Sequence, residues 1–559
     1  MTSRSLGARR RRTRSSVLRV AAAASACCTL LAVTGVGDPV GAARPGGLLP
    51  GNLLVSRTVY EGAPGLVEGA TYLPPGCTPG TAGCVLAVSN GTYPFVFNND
   101  TVDASFGVTA PIFLDQMTTA GTVLSTLEVP NSGQNGVPRT KDQMVTSFSS
   151  KSELALNRST GGGAASFMGY LAPVGALDVS NTNTPGVVDP TNPVTGQNYR
   201  VVASVDAQDK FRFTETNAYS GNNGRAAILN DSGSGPAAVY TAGNAGNGGN
   251  PQPNGIIEGT GAQFLYPETK AEVAQQPGDP TTLGSFSITQ FGNAPDKVGK
   301  DTNFRGLTVS NGVVYLTKGS GGNGVNTVYF VDTTGQACPT GGVGNPVAGA
   351  TLPTAPPVFD TTPAAVAASG LTPYNMCILK GFPTTLAKKP GAAFPFGIWF
   401  ANPTTLYVAD EGSGYNAHAD LDTVAAAQKS AGLQKWTLNT ATGVWSLAYT
   451  LQNGLGLGQP YTVAGYPTGT NTATGLPWAP ATDGLRNLTG RVNADGTATI
   501  WAVTSTVSGS GDQGADPNKL VAITDTLGAK TLPAGESFTT VRAAASGEAL
   551  RGVSFTPGG

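Results

Sequence analysis

The chain is predicted to be all-β, a single β-propeller of about six four-stranded blades closed by its C-terminal strand. Three observations predict it. Short runs of β-branched and aromatic residues recur between Asn-Gly and Gly-Gly punctuation along the whole length, which is the strongest local signal for hairpins. Only residues 420–430 read clearly as helix, with acidic residues first and Lys429 near the end, as the helix dipole prefers. The chain also ends on Leu550-Arg551-Gly552-Val553-Ser554-Phe555, an echo of Phe304-Arg305-Gly306-Leu307-Thr308-Val309 with no further strand behind it. A last strand that completes the first sheet is how a ring removes exposed sheet edges.

Residues 303–332 are the template. Two strands flank the turn Ser310-Asn311-Gly312, and a third follows a glycine-rich loop. Units of this kind are expected at 53–130 (completed by 549–559), 143–215, 223–292, 303–383, 394–452 and 484–543. A seventh would have to lie in the irregular stretches 62–142 or 340–380. A β-solenoid shares the composition, but its repeats are shorter and more regular than these.

Composition fits many strands joined by turns. Charged residues are 12% of the 559, about half the ~25% of an average soluble chain, with Thr, Ser, Asn and Gly supplying polarity instead. Thirty-three basic residues against 34 acidic ones, net charge -1, leave no excess to neutralise phosphates, so nucleic acid is not an expected partner.

Much of the basic charge sits at the start. Arg9–Arg12 and Arg14 precede an apolar run over 17–36, and small residues at 40–43 suit a cleavage site. This reads as a signal peptide over 1–43 and a linker over 44–52, ahead of a propeller over 53–559. An uncleaved anchor is the competing reading. No second apolar run is long enough to span a bilayer, so the mature protein is expected to be a secreted or cell-envelope monomer. Cysteine usage agrees. Cys27 and Cys28 fall in the signal, and Cys77 with Cys84 and Cys338 with Cys377 close the shortest loops. An oxidising compartment permits both disulfides. Their spacings match no zinc framework.

Residues 394–436 carry a family resemblance. Phe394-Pro395-Phe396-Gly397-Ile398-Trp399-Phe400, then Leu406-Tyr407-Val408-Ala409-Asp410, then Gly432-Leu433-Gln434-Lys435-Trp436 resemble one repeat of NHL-type, YVTN-like propellers. Such repeats run Pro-x-Gly-Ile, Leu-Tyr-Val-Ala-Asp, and a strand ending on a basic and an aromatic residue. The chain departs by inserting residues 411–431 where the family has a short turn, and its other units keep only the hairpin shape. The resemblance implies the architecture rather than an activity, since related propellers include lyases, lactonases, adhesins and binding modules.

In a propeller the first strand of each blade lines the central channel. Arg225, Arg305, Arg486 and Arg551 stand near the start of four such strands, and Glu153 holds a comparable place in the second unit. A ring of guanidiniums offers planar donor forks suited to a carboxylate or sulfate. Repetition equally suits a structural tie between blades. Loops on the same face carry Lys318, Asp410, Glu411, Asn416, His418, Asp420, Asp422 and Asp512.

Asp410, Glu411, Asp420 and Asp422 offer hard oxygen ligands of the kind Ca²⁺ takes, or a solvated, helix-capping loop. His418 is the one histidine in the chain. Any general-base chemistry through imidazole must therefore use it, with Asp410 or Glu411 as orienter, although a lone loop histidine is more often a surface residue. No nucleophile elbow, phosphate loop or dinucleotide fingerprint occurs in a suitable context. The expected function is an extracellular binding or scaffold module for a glycan, wall polymer or protein. The alternative is a propeller enzyme, lactonase-like or a polysaccharide lyase.

Overall fold

In a computed structural model, the chain is described over residues 47–94, 106–148 and 153–558, apart from 234–236, 245–260, 268–286, 289–302, 320–323, 335, 338–341, 355–374, 388, 416–417, 473 and 511–513. The expected signal segment, Cys338, Asn416 and Asp512 lie outside these residues.

Six sheets form the six blades of a β-propeller. Blade 1 orders Glu548–Phe555, Leu53–Val59, Ile112–Met117 and Val123–Glu128 from the channel outward. Blade 2 runs through Asn157–Arg158, Ala164–Tyr170, Arg200–Asp206 and Phe211–Thr216. Blade 3 has Gly224–Asn230, Ala238–Gly243 and Ala262–Leu265. Blade 4 has Phe304–Ser310, Val313–Lys318, Thr327–Val331 and Asn375–Leu379. Ser287–Ile288, expected at the edge of blade 3, instead pairs in parallel with Asn375 and Met376 of blade 4. Blade 5 is Pro395–Asn402, Thr405–Asp410, Gly432–Asn439 and Val444–Leu451, and blade 6 is Ala481–Val492, Thr497–Val507, Lys519–Thr526 and Thr539–Ala543.

The ring closes as the sequence echo predicts. Leu53 to Val59 pair antiparallel with Phe555 to Glu548. Each inner strand neighbours the next around the circle, the last meeting the first. The repeated glycine after the arginine has a steric cause. A Cβ on Gly306 would overlap the carbonyl oxygen of Phe396 in blade 5, and one on Gly552 would overlap that of Leu154 in blade 2. Only glycine lets neighbouring inner backbones approach this closely.

The template hairpin also behaves as read. Asn311 and Gly312 both take positive φ, 47° and 74°, the backbone that a two-residue hairpin turn requires.

The apolar core lies between blades rather than in one place. One cluster joins blades 3, 4 and 5 through residues such as Tyr240, Phe304, Tyr329 and Trp436. Others join blades 5 and 6, 1 and 2, and 6 and 1. Second strands are therefore covered on both faces. Ala238–Gly243, Val313–Lys318 and Thr405–Asp410 are buried throughout, which explains why they read as near-continuous apolar runs. Outermost strands such as Val123–Glu128 are largely exposed or half-buried.

The one α-helix among the described residues is Leu421–Ala426, shorter than expected, with Asp420 at its N-cap and Asp422 in its first turn. Cys77 and Cys84 are disulfide-bonded within the connection between Leu53–Val59 and Ile112–Met117, the second and third strands of blade 1. Cys377 is also in a disulfide. No helix among the described residues is long and apolar enough to cross a membrane.

Candidate functional site

The arginine positions recur because the inner strands recur. Arg305 and Arg486, from blades 4 and 6, both reach Glu411, which follows the second strand of blade 5. Their Nε atoms lie 3.3 Å and 3.2 Å from its two carboxylate oxygens. All three side chains are buried. Glu411 is fixed through its backbone: its N–H donates to the Phe394 carbonyl at 2.9 Å, and its own carbonyl accepts from the Ser505 hydroxyl at 2.6 Å. One carboxylate thus ties blades 4, 5 and 6 together at the channel.

Arg225 is held differently. Its Nη1 donates to the Asn303 side-chain oxygen and to the Phe304 carbonyl at 3.1 Å, and its Nη2 reaches the Asn223 side chain at 3.5 Å. Its Nε has no hydrogen-bond partner, and no ion pair reaches it among the described residues. Burial, and then the charge of Arg305, push its guanidinium well below the usual arginine range, against the pull of Glu411 and Glu153. Arg305 is lowered too, by burial first and by Arg486, while Glu411 opposes the shift. Three guanidiniums therefore sit within electrostatic reach of one another in a dry site, where such fields are strong.

Glu153 occupies the matching place in blade 2. It accepts from the Thr146 hydroxyl at 2.8 Å, the Ser147 N–H at 3.3 Å, the Asn223 amide at 3.3 Å and the Tyr170 hydroxyl. Arg551 donates to the Phe148 carbonyl. Lys318, at the end of the second strand of blade 4, is buried and donates to Asn326 at 3.2 Å.

The acidic loop divides in two. Asp410 is buried, and its carboxylate accepts from the backbone of Phe394 at 2.9 Å, the backbone of Gly412 at 3.0 Å and the Gln434 amide at 3.2 Å. Burial nonetheless pushes its carboxyl up to about 6, with Glu411 adding to the rise. Asp420 and His418 are exposed, and Asp422 is half-buried on the helix. His418 packs its ring 5.9 Å from that of Tyr415. No hydrogen bond joins it to Asp410 or Glu411 among the described residues, where no group of three or more His, Cys, Asp or Glu side chains is placed to hold a metal ion.

Two residues escaped the sequence reading. Arg200 opens the third strand of blade 2 rather than the inner one, so it stands outside the repeat that marks the other arginines. It is fully buried and clamps the carbonyls of Asn198, Ser180, Thr182 and Asn222. Asp483 was hidden because it follows no motif. Its carboxylate accepts from Gly414 N–H at 2.7 Å and from the Gln428 amide. Burial, with Glu411 and Asp410 nearby, pushes it up to about 7.

A scan against known protein families finds no match for this chain, and a search of curated protein sequences finds none either. The likeness to NHL-type repeats therefore remains confined to the residues quoted for blade 5, inside a six-bladed propeller.

Proposed function

We propose that this chain is a secreted propeller that acts as a binding module, its channel mouth taking carboxylate or sulfate groups of an extracellular polymer or protein. The single observation that carries the reading is Arg225, a buried guanidinium with no ion pair among the described residues, an unused Nε and the charge of Arg305 within electrostatic reach. Burying a cation without a counter-charge is costly, and an arriving anion offsets that cost. A guanidinium supplies the planar donor pair that carboxylates and sulfates match. With the chain's formal charge at -1, attraction of polyanions has to come from this local cluster. The one disulfide described with both partners, Cys77–Cys84, fits an oxidising, extracellular setting.

The test is retention on immobilised polygalacturonate and dextran sulfate, comparing wild type with Arg225→Gln and Arg486→Gln. Wild type is expected to bind at least one polymer in a salt-dependent way, and each variant to lose about tenfold or more, in line with charged hydrogen bonds worth ~1.5–3 kcal/mol. Absence of retention of both polymers by wild type sinks the reading. The same samples, incubated with uronic-acid polymers and lactones, report any turnover, which would favour an enzyme instead.

A further inference from the structure

The opposite half of the channel holds a second feature that the arginine mouth does not use. A cavity of about 320 Å³ is lined by the downstream parts of all six inner strands. Its lining includes the residue three beyond each arginine of the ring: Ile228, Thr308, Thr489 and Ser554 follow Arg225, Arg305, Arg486 and Arg551. Three residues of extended chain place this layer about 10 Å deeper. The volume lies at the small end of the ~300–1,000 Å³ range of ligand sites.

Its chemistry differs from that of the mouth. Among the described residues no carboxylate lines it and the one charged group is Arg158, whose Nη2 donates to the Gly162 carbonyl at 3.2 Å. Apolar walls such as Ile228 and Ile398 alternate with hydroxyls. Thr308 and Thr489 are half-buried, and neither hydroxyl hydrogen-bonds to protein among the described residues. Trp399 completes the wall. Tyr407 stacks on its indole at 5.8 Å, and Gly490 lies so close that a Cβ there would come 2.5 Å from the ring. The indole is thus fixed. Its N–H has no protein acceptor among the described residues, whereas Trp436 and Trp501 donate to Gln434 and Thr119. Half-buried hydroxyls and an indole N–H without protein partners, set between apolar walls, match a molecule that carries hydroxyls on an aliphatic frame.

We infer that this end of the channel is a second binding site, for one uncharged sugar ring. It stands on the cavity and its lining alone and does not depend on the anion reading of the mouth.

The test titrates the purified protein with D-glucose and with N-acetyl-D-glucosamine, read by saturation-transfer NMR and by calorimetry. Saturable binding of at least one sugar is expected. Thr308→Val and Thr489→Val keep the shape and remove the hydroxyls, so each should weaken binding about fivefold and the pair more than tenfold. Thr308→Ser, which keeps the hydroxyl, should restore binding to near the wild-type level. No saturable binding of either sugar by wild type overturns the inference. So does unchanged affinity in the double valine variant, or a loss in Thr308→Ser equal to that in Thr308→Val, which would mean that packing and not the hydroxyl is responsible.

Discussion

Lys435 and Arg225 are both buried cations, and the protein holds them in opposite ways. Lys435, on the third strand of blade 5, lies 2.9 Å from Asp525 of blade 6, and neither side chain is exposed. It also donates to the Tyr449 hydroxyl at 2.9 Å and the Thr526 carbonyl at 2.7 Å. Asp525 in turn accepts from Tyr449 at 2.7 Å and from Tyr407. Charge and hydrogen bonds balance within the group, so it works as a joint between two blades. Arg225 has polar contacts but no ion pair among the described residues, and the charge of Arg305 acts on it more strongly than the opposing Glu411 and Glu153. The difference teaches that burial alone does not separate a structural charge from a functional one. Completeness of partnership does.

The largest expected effect breaks the joint. Asp525→Asn leaves Lys435 buried without its carboxylate and should cost ~3–5 kcal/mol, read as a lower midpoint in thermal or urea unfolding. A loss below about 1 kcal/mol would show that this pair does not staple blades 5 and 6 together.

A smaller and opposite effect is expected at the mouth. Arg225→Met removes a poorly compensated buried charge, so without added anion its stability should stay within about 1 kcal/mol of wild type or rise. Sodium sulfate should then raise the melting temperature of wild type more than that of Arg225→Met, because only wild type keeps the whole cluster for the anion. Equal sulfate shifts in the two proteins would remove the contrast between the two cations.

The smallest effect concerns pH. Asp410 and Asp483 ordinarily titrate near 3.8 but are pushed up to about 6 and about 7 in the fold. Between those values the folded state holds protons that the unfolded chain has released. Their contribution to stability is therefore present below about 4 and is lost as pH rises through 6 to 7. Asp115 runs the other way. Burial favours a rise, but Arg57 and Arg542 hold it below the usual carboxylate range, so its contribution is lost only in acid. Urea midpoints measured across this range should decline less steeply toward neutral pH in Asp483→Asn than in wild type. Parallel curves would mean that Asp483 does not titrate there.

Much of the fold was legible because its signals are local. The Asn311-Gly312 turn, the apolar second strands and the scarcity of helix each follow from neighbours in sequence. The echo of Arg305-Gly306 in Arg551-Gly552 carried longer-range information, since ring closure requires the same close inner-strand approach at both places. Less of the site was legible. The repeat marked the four arginines, yet it said nothing of which carboxylate would reach them. By sequence Glu411 reads as a metal ligand or an orienter of His418, whereas in the fold it bridges Arg305 and Arg486. Arg200 and Asp483 belong to no repeat, so composition and spacing gave them no weight.

The sequence by itself determined the hairpins, the blade order and the strand that closes the ring, because turn chemistry and strand periodicity act over a few residues. Only the tertiary structure decided which charges meet. Glu411 and Arg486 are 75 residues apart in the chain, and Lys435 and Asp525 are 90 apart. Such pairs exist only once neighbouring blades pack face to face and exclude water, so their partnership is a property of the closed ring.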